Sequence, residues 1–124
     1  MCFQIRRDTE LWFSAEYSSF SVGPEADMYR LNVAGYNGDA GDAIAAPVHP
    51  LRICNGMQFT TRDQDNDNHV AICRIGSGWW YNLCDRSSLN IYANAIWNAD
   101  TDVNIMDVKF ARMLVKLDWC WPQS

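Results

Sequence analysis

Three carboxylates at alternating positions, followed by a cysteine-bracketed aromatic cluster, constrain this chain more than any other feature. The acidic stretch reads RDQDNDN at residues 62–68, and GWWY at 78–81 lies between Cys73 and Cys84. Like charges this close together repel each other unless a cation lies among them. A hard divalent cation with oxygen ligands, Ca²⁺ above all, meets that need.

The most familiar loop with alternating acids, the EF-hand, does not match this stretch. An EF-hand loop needs Gly at its sixth position and a bidentate Glu at its twelfth. Counted from Asp63, those positions hold Asn68 and Arg74. A different calcium loop remains open, in which two carboxylates and two later backbone carbonyls surround one cation. Because Asp and Asn also favour ordinary turns, a solvated acidic turn is the equal alternative.

Length and composition predict a single domain with a substantial core. The chain has 124 residues, of which 48% are hydrophobic and six are tryptophan. This composition argues against disorder, and the length leaves no room for a second domain. The net charge of −5 argues against a nucleic-acid partner, which needs a basic face. No apolar run reaches the length of a membrane span, so we expect none.

Five cysteines indicate an extracellular compartment. They lie at positions 2, 54, 73, 84 and 120, without the C-x-x-C spacing of a metal or redox site. Cysteines in small extracellular domains usually pair, and an odd count leaves one over. The first residues lack the apolar core of a signal peptide. We therefore expect a secreted protein, of which this chain is a fragment or an incomplete gene model.

The hydropathy pattern predicts strands and loops with little helix. Residues 11–20 and 29–34 alternate as strands do, whereas 35–42 predicts a loop because it holds three glycines and two aspartates. Residues 57–61 predict a short strand that leads into the acidic stretch. Residues 108–117 fit a helix by composition, but their alternation favours a strand, which we expect to pair with 29–34.

The aromatic cluster has two interpretations, core packing or a ligand surface. Neighbouring residues of an extended segment point in opposite directions. We therefore expect the side chains of Trp79 and Trp80 to point in opposite directions, one toward the core and the other toward a surface pocket. Exposed aromatic rings suit sugar rings, methyl groups and ammonium groups.

A series of ordered motifs resembles one known family. The motifs are AEYSSFSVG at 15–23, YRLNVAGYNGDAGDA at 29–43, NGMQFTT with DQDND at 55–67, GWWY with Cys84 and Leu89-Asn90, YANAIW at 92–97, and MLVKL at 113–117. Together they resemble the C-terminal globular domain of fibrinogen, which also occurs in ficolins, tachylectins, tenascins and angiopoietins. The resemblance implies an α+β fold over residues 1–124, with a twisted antiparallel sheet and a loop-rich calcium-binding subdomain. The resemblance also leads us to expect a partial domain, without the N-terminal subdomain of the family.

The resemblance also implies a calcium site within the acidic stretch, with Asp63 in a supporting role. The implied ligands are the side chains of Asp65 and Asp67 and the carbonyls of His69 and Ala71. A disulfide between Cys73 and Cys84 is implied in the same way.

Lectin-like members of the family capture acetyl groups of sugars in a pocket beside the calcium loop. The corresponding positions are Trp80, Leu83, Cys84, Asp85, Tyr92 and Ala93. This chain departs from the family here, because Asp85 replaces a histidine and the loop after residue 89 is compressed. Cys54 likewise stands where the family commonly has histidine.

These implications predict a secreted, calcium-binding recognition module of the lectin type that binds glycans or acetylated groups, as in innate defence. The alternative is a protein-binding module for a receptor or a peptide ligand. Asp85 favours the alternative, since an acid can hold the cationic end of a peptide. No nucleophile–base spacing stands out around His49 or His69, so we expect no enzyme. A homo-oligomer is compatible with the family.

Overall fold

The computed structural model describes residues 1–7, 11–45, 53–68, 78–82, 87–90, 95–98, 104–105 and 108–115. The strands are β1 (Cys2–Arg6), β2 (Phe13–Val22), β3 (Leu31–Gly38), β4 (Ser87–Ser88), β5 (Ile96–Asn98), β6 (Asn104–Ile105) and β7 (Phe110–Leu114). One 3₁₀ turn, Glu25–Asp27, is the only helical element within these residues. The helical part of the predicted α+β class is therefore not seen there.

The strands form two antiparallel sheets, which we call the main sheet and the small sheet. The main sheet has the order β3-β2-β1-β7, and the small sheet has the order β4-β5-β6. Alternate residues of β1 and β2 are buried, and Phe3 pairs with Ala15 on the same buried face. This alternation is what a sheet with one covered face requires.

The core lies between the main sheet and the small sheet. Phe3, Tyr17 and Trp97 are at most 2% exposed. The ring of Phe3 lies 5.9 Å from that of Tyr17 and 5.3 Å from that of Trp97. Because Trp97 belongs to β5, these ring contacts join the small sheet to the main one. The Trp97 indole N–H also donates to the carbonyl of Gly41 at 3.0 Å, which satisfies the one polar group of this ring.

Three strand predictions are confirmed in type, and one predicted pairing is wrong. Strand β2 overlaps the predicted strand at 11–20 and ends two residues later, β3 overlaps the one at 29–34 and ends four residues later, and β7 lies within 108–117. However, β7 pairs with β1, from Cys2 opposite Leu114 to Arg6 opposite Phe110, and not with 29–34. The outer edge of β3 is taken up instead by the turn at 54–57. There the N–H of Leu31 donates to Met57 at 3.0 Å, and the N–H of Gly56 donates to Leu31 at 2.8 Å.

The predicted loop at 35–42 is wrong over its first half, because β3 continues to Gly38. Gly35 has φ +72°, and a Cβ there would lie 1.9 Å from the Ser18 hydroxyl. Glycine therefore allows the strand to pass this point. The predicted strand at 57–61 is also wrong: only the isolated bridges from Thr60 to Trp79 and from Thr61 to Gln64 form there.

Two cysteines lie within the described residues. Cys2 is a half-buried free thiol on β1, and burial raises its pKa. Cys54 belongs to the core and is 1% exposed. The disulfide predicted between Cys73 and Cys84, like Cys120, lies outside the described residues. No described helix is long and apolar enough to cross a membrane.

Candidate functional site

The acidic loop, residues 60–68, is fixed to the core at its base. Thr60 is fully buried and exchanges two backbone hydrogen bonds with Trp79, at 2.9 and 3.2 Å. The Thr60 hydroxyl accepts the N–H of Asn66 at 3.0 Å, and the Asn66 amide donates to the carbonyl of Phe59 at 2.8 Å. The position of the acidic side chains is therefore set by contacts with buried residues.

Asp63 is engaged within the tip of the acidic loop. Thr61 and Gln64 exchange backbone hydrogen bonds at 3.0 and 3.2 Å, which closes a tight turn. The Thr61 hydroxyl donates to Asp63 Oδ1 at 2.7 Å. This bond holds the pKa of Asp63 below its usual range, because a donated hydrogen bond favours the charged carboxylate. Asp63 is therefore bonded within the loop itself, and its supporting role at a calcium site stays a prediction.

Asp65 and Asp67 come next on the same loop. The N–H of Asp67 donates to Asp65 Oδ1 at 3.3 Å, so the chain curls back toward the Asp65 carboxylate. Two carboxylates at this spacing are donors of the type that Ca²⁺ prefers. The other two predicted ligands, His69 and Ala71, lie outside the described residues. Within the described ranges, no three His, Cys, Asp or Glu residues gather as a metal site, so the ligand set stays a prediction.

The aromatic cluster is buried throughout, which corrects the expectation that one tryptophan faces outward. Trp79, Trp80 and Tyr81 are 2%, 8% and 3% exposed. The rings of Trp79 and Trp80 meet at 5.3 Å, and Phe59 meets Trp80 edge-on at 5.1 Å. The prediction fails because residues 78–82 do not form a regular strand. Instead the Trp80 N–H reaches across to the carbonyl of Tyr29 at 2.9 Å.

Two asparagines couple the acidic loop to the aromatic cluster. The N–H of Asn68 donates to the Asn82 carbonyl at 3.1 Å, and the Asn68 amide donates to Asn82 Oδ1 at 2.7 Å. Asn82 is itself held by the carbonyl of Ile53 at 3.1 Å. Sequence reasoning missed both residues, since nothing local marks an asparagine whose partner lies 14 positions away. These bonds connect the acidic loop directly to the segment that carries the tryptophans.

A largely apolar cavity of about 370 Å³ opens beside the cluster. Its apolar lining comes from Phe59, Trp79, Trp80, Leu89 and Met113, and the polar residues Asn90 and Arg112 also line it. A Cβ on Gly78, which also lines the cavity, would lie 2.6 Å from the Phe59 ring, so glycine permits their close approach. The buried Nε1–H of Trp79 has no hydrogen-bond acceptor among the described residues.

Only one residue of the predicted ligand pocket lies in the described part of the chain. Trp80 does line the cavity, whereas Leu83, Cys84, Asp85, Tyr92 and Ala93 lie outside the described residues. Phe59, Leu89 and Met113 were not predicted to line a pocket. Phe59 falls in a short apolar segment beside the acidic loop, which is a usable signal. Nothing in the local sequence marks Met113, because it reaches the cavity only through the pairing of β7 with the distant β1.

Comparison with known proteins gives consistent matches. The family model for the C-terminal globular domain of fibrinogen beta and gamma chains matches residues 1–116. Rat fibrinogen-like protein 1 is 38% identical over 99 residues, covering 74% of this chain and 32% of that protein. The human fibrinogen gamma chain is 42% identical over 102 residues, covering 71% of this chain and 22% of that protein. The chain thus spans a third or less of these relatives.

The fold matches a solved structure of the same kind. Lamprey fibrin D-dimer, in complex with the peptide ligand Gly-His-Arg-Pro-amide, superposes with a TM-score of 0.74 at 26% identity. The match covers 94% of this chain and 47% of that one.

Proposed function

Because this chain belongs to the family of the fibrinogen C-terminal globular domain, we propose that it is an extracellular, non-enzymatic recognition module that binds a peptide segment of a protein partner. The family predicted from the sequence motifs is confirmed by the match over residues 1–116. The observation that carries the proposal is the apolar cavity between the aromatic cluster and β7. The proposal concerns the module, since the chain covers only part of each relative.

The chemistry of the cavity favours a peptide over a sugar. A glycan site needs several polar groups that match its hydroxyls, whereas apolar walls with a few polar groups suit a hydrophobic side chain. The aromatic walls of this cavity supply such a surface, and Met113 adds a flexible, adaptable contact.

The charge of the whole chain favours a basic peptide, whereas the cavity lining itself includes the cationic Arg112. This chain carries −5, and Asp85 is the residue expected to attract a cationic peptide end. The lamprey fibrin D-dimer structure is a complex with the peptide ligand Gly-His-Arg-Pro-amide, which contains an arginine. That peptide is therefore the natural first probe for this chain.

The lectin-type function predicted from the resemblance stays a prediction. It rests on Leu83, Cys84, Asp85, Tyr92 and Ala93, all outside the described residues, and on Trp80, which is only 8% exposed. An acetyl group would have to reach the ring of Trp80 through the cavity. A competing assay with N-acetylated resin therefore belongs in the same experiment.

Binding of Gly-His-Arg-Pro-amide, measured by calorimetry, tests the proposal. Met113→Lys places a charge in the cavity wall, and we expect it to weaken binding about tenfold. Val115→Lys is the matched control, because Val115 is 64% exposed and does not line this cavity. Retention on N-acetylglucosamine resin with release by acetate, and no peptide binding, would overturn the proposal in favour of the lectin. Equal binding by both lysine variants would overturn the location of the site.

We also propose that the acidic loop binds one Ca²⁺, through the side chains of Asp65 and Asp67 and the carbonyls of His69 and Ala71. The bound ion would neutralise the two carboxylates and hold the loop closed. The donor set supports this, since carboxylate and carbonyl oxygens are the ligands that Ca²⁺ takes.

Thermal melting with and without Ca²⁺ tests this second proposal. An ion that binds only the folded state raises its stability by about 2.7 kcal/mol at a hundredfold excess over Kd. Asp65→Asn should abolish the shift in melting temperature, whereas Asp63→Asn should preserve most of it, because Asp63 is bonded to Thr61. A melting temperature that millimolar Ca²⁺ leaves unchanged would refute the metal site.

A further inference from the structure

Strand β7 is an open edge of the main sheet. It pairs with β1 on one side, and no strand of the described residues pairs with its other side. All five residues of β7 are exposed, and Phe110 and Leu114 are each 46% exposed. An exposed apolar edge strand is a template for another strand.

The side chains on the outer face of β7 are arranged around a pair of arginines. Arg6 lies opposite Phe110 and Gln4 lies opposite Arg112 in the β1–β7 register, so these four side chains share one face. The Arg6 guanidinium carbon lies 4.3 Å from the Phe110 centroid and 5.0 Å from that of Trp12.

Arg112 stacks on the same tryptophan. Its guanidinium carbon lies 4.5 Å from the Trp12 centroid, and its Nε donates to Gln4 Oε1 at 2.5 Å. Two cations therefore share one indole ring, and both are held in place by stacking on aromatic surfaces. Stacking occupies the flat faces of a guanidinium and leaves its N–H edge for an anion.

Neither arginine is neutralised within the described residues. The ion pair found there joins Arg30 to Asp27, in another part of the fold. The Nε–H of Arg6 is buried and has no hydrogen-bond acceptor among the described residues. The two arginines therefore form a local positive site on a chain whose net charge is −5.

We propose that β7 docks an extended acidic segment of a partner protein, which adds a strand to the main sheet and places a carboxylate against Arg112 and Arg6. Backbone hydrogen bonds along β7 hold the segment, as in other cases of strand addition. The outer face of β7 reads Phe110, Arg112, Leu114, so the segment that fits has an acid between two apolar residues at alternate positions. Opposite charges across a strand pair are favourable.

Other occupants fit this edge less well. A second copy that paired antiparallel about Arg112 would set Arg112 against Arg112, and like charges directly opposite are unfavourable. A nucleic acid or a sulfated glycan is repelled by the net charge of −5 and needs a longer basic stripe than two arginines provide. A short acidic peptide carries few charges and uses the apolar residues on either side.

This surface and the proposed peptide cavity share one residue of β7. Ala111 and Met113 point to the opposite face of the strand and line the cavity, and Arg112 lines it as well. The charge of the peptide distinguishes the two proposals, because the docking surface takes an acidic segment and the cavity takes a basic one.

Calorimetry with the synthetic peptide acetyl-Thr-Val-Thr-Glu-Thr-Val-Thr-amide tests the proposal on the full chain. Arg112→Gln should weaken binding about fivefold, and replacing the peptide Glu with Gln should have the same effect without adding to it. Arg62→Gln, the same charge change on the exposed acidic loop, should leave the affinity unchanged. Arg112→Glu should reverse the preference, so that a Lys peptide binds better than the Glu peptide. Melting temperatures of all variants show that each is folded.

Peptides with backbone N-methyl groups test the strand addition itself. Alternate residues of a strand direct their N–H groups to opposite sides, so methylation of one alternate set should abolish binding and methylation of the other should not. Equal binding by both methylated peptides would overturn edge pairing. So would equal affinity for the Glu and Gln peptides, a concentration-dependent dimer that Arg112→Glu disrupts, or binding of a heparin oligosaccharide without binding of the peptide.

Discussion

The two edges of the main sheet differ in whether other described residues cover them. At the β3 edge, the turn at 54–57 supplies backbone and side-chain partners, and Leu31 beneath it is fully buried. At the β7 edge, every residue is exposed and the outer face carries two arginines stacked on Trp12. One edge is closed by the chain itself, whereas the other presents apolar and cationic groups.

This difference separates stability from recognition. A covered edge contributes buried area and satisfied hydrogen bonds, so changes there act on the free energy of unfolding. An open edge contributes little to folding, but it leaves backbone groups available for a partner. The same strand, β7, also forms a wall of the apolar cavity. Both candidate peptide-binding surfaces therefore lie at the β7 edge, which no strand of the described residues covers.

The largest expected effect comes from a matched pair of leucines, one on each edge. Leu31→Ala should lower the free energy of unfolding by about 3 kcal/mol, since it leaves a cavity under the covered edge. Leu114→Ala should cost less than about 1 kcal/mol, because Leu114 is 46% exposed. Urea denaturation of both variants measures the difference. Equal costs would mean that the two edges are equally packed, and the comparison would fail.

A smaller effect is expected from the side chain that closes the β3 edge. Asn55 accepts the N–H of Val33 at 2.8 Å and donates to its carbonyl at 3.1 Å, as a neighbouring strand would. Asn55→Ala leaves both backbone groups without these bonds beside a residue that is only 6% exposed. We expect a loss of about 2 kcal/mol. The control, Asn32→Ala, changes an exposed asparagine of the same strand.

Amide hydrogen exchange provides the second readout for the asparagine variants. Protection at Val33 should fall in Asn55→Ala and stay as in the parent chain for Asn32→Ala. If Asn55→Ala left that protection intact, closure of the edge by its side chain would be disproved.

The sequence predicted the covered edge better than the open one, for a physical reason. Strands β2 and β3 are neighbours in the chain, and apolar residues such as Tyr17, Leu31 and Val33 alternate with polar ones. Strand β1 was missed because only Phe3 and Ile5 mark it, and charged residues follow directly. Its partner β7 lies more than 100 positions away, and no local pattern encodes a pairing at that distance.

The candidate sites divide in the same way. Asp65 and Asp67 could be found from the sequence because their spacing is local and their chemistry is specific. The cavity could not, since Phe59, Leu89 and Met113 come from three separate segments. The arginine pair on Trp12 was missed for the same reason: Arg6 and Arg112 meet only after β1 and β7 are paired.

The smallest expected effect is a pH dependence confined to the side of the sheet near the covered edge. Tyr17 of β2 is 2% exposed and donates its hydroxyl proton to Asp42 Oδ1 at 2.5 Å. Burial, and then this bond to a carboxylate, raise the pKa of Tyr17 far above its usual value near 10. Burial also raises the pKa of Tyr36, its neighbour in β3.

The sign of the pH effect follows from these directions. The folded state holds the tyrosine protons more tightly than the unfolded state, so stability is full below about pH 10 and falls as the pH rises above it. Tyr17→Phe should flatten this decline, and Tyr36→Phe should flatten it less, because Tyr36 is only half-buried. Absorbance of tyrosinate, followed with unfolding between pH 9 and 12, measures both. If the stability of Tyr17→Phe fell as steeply with pH as that of the parent chain, another group would be responsible for the loss of stability at high pH.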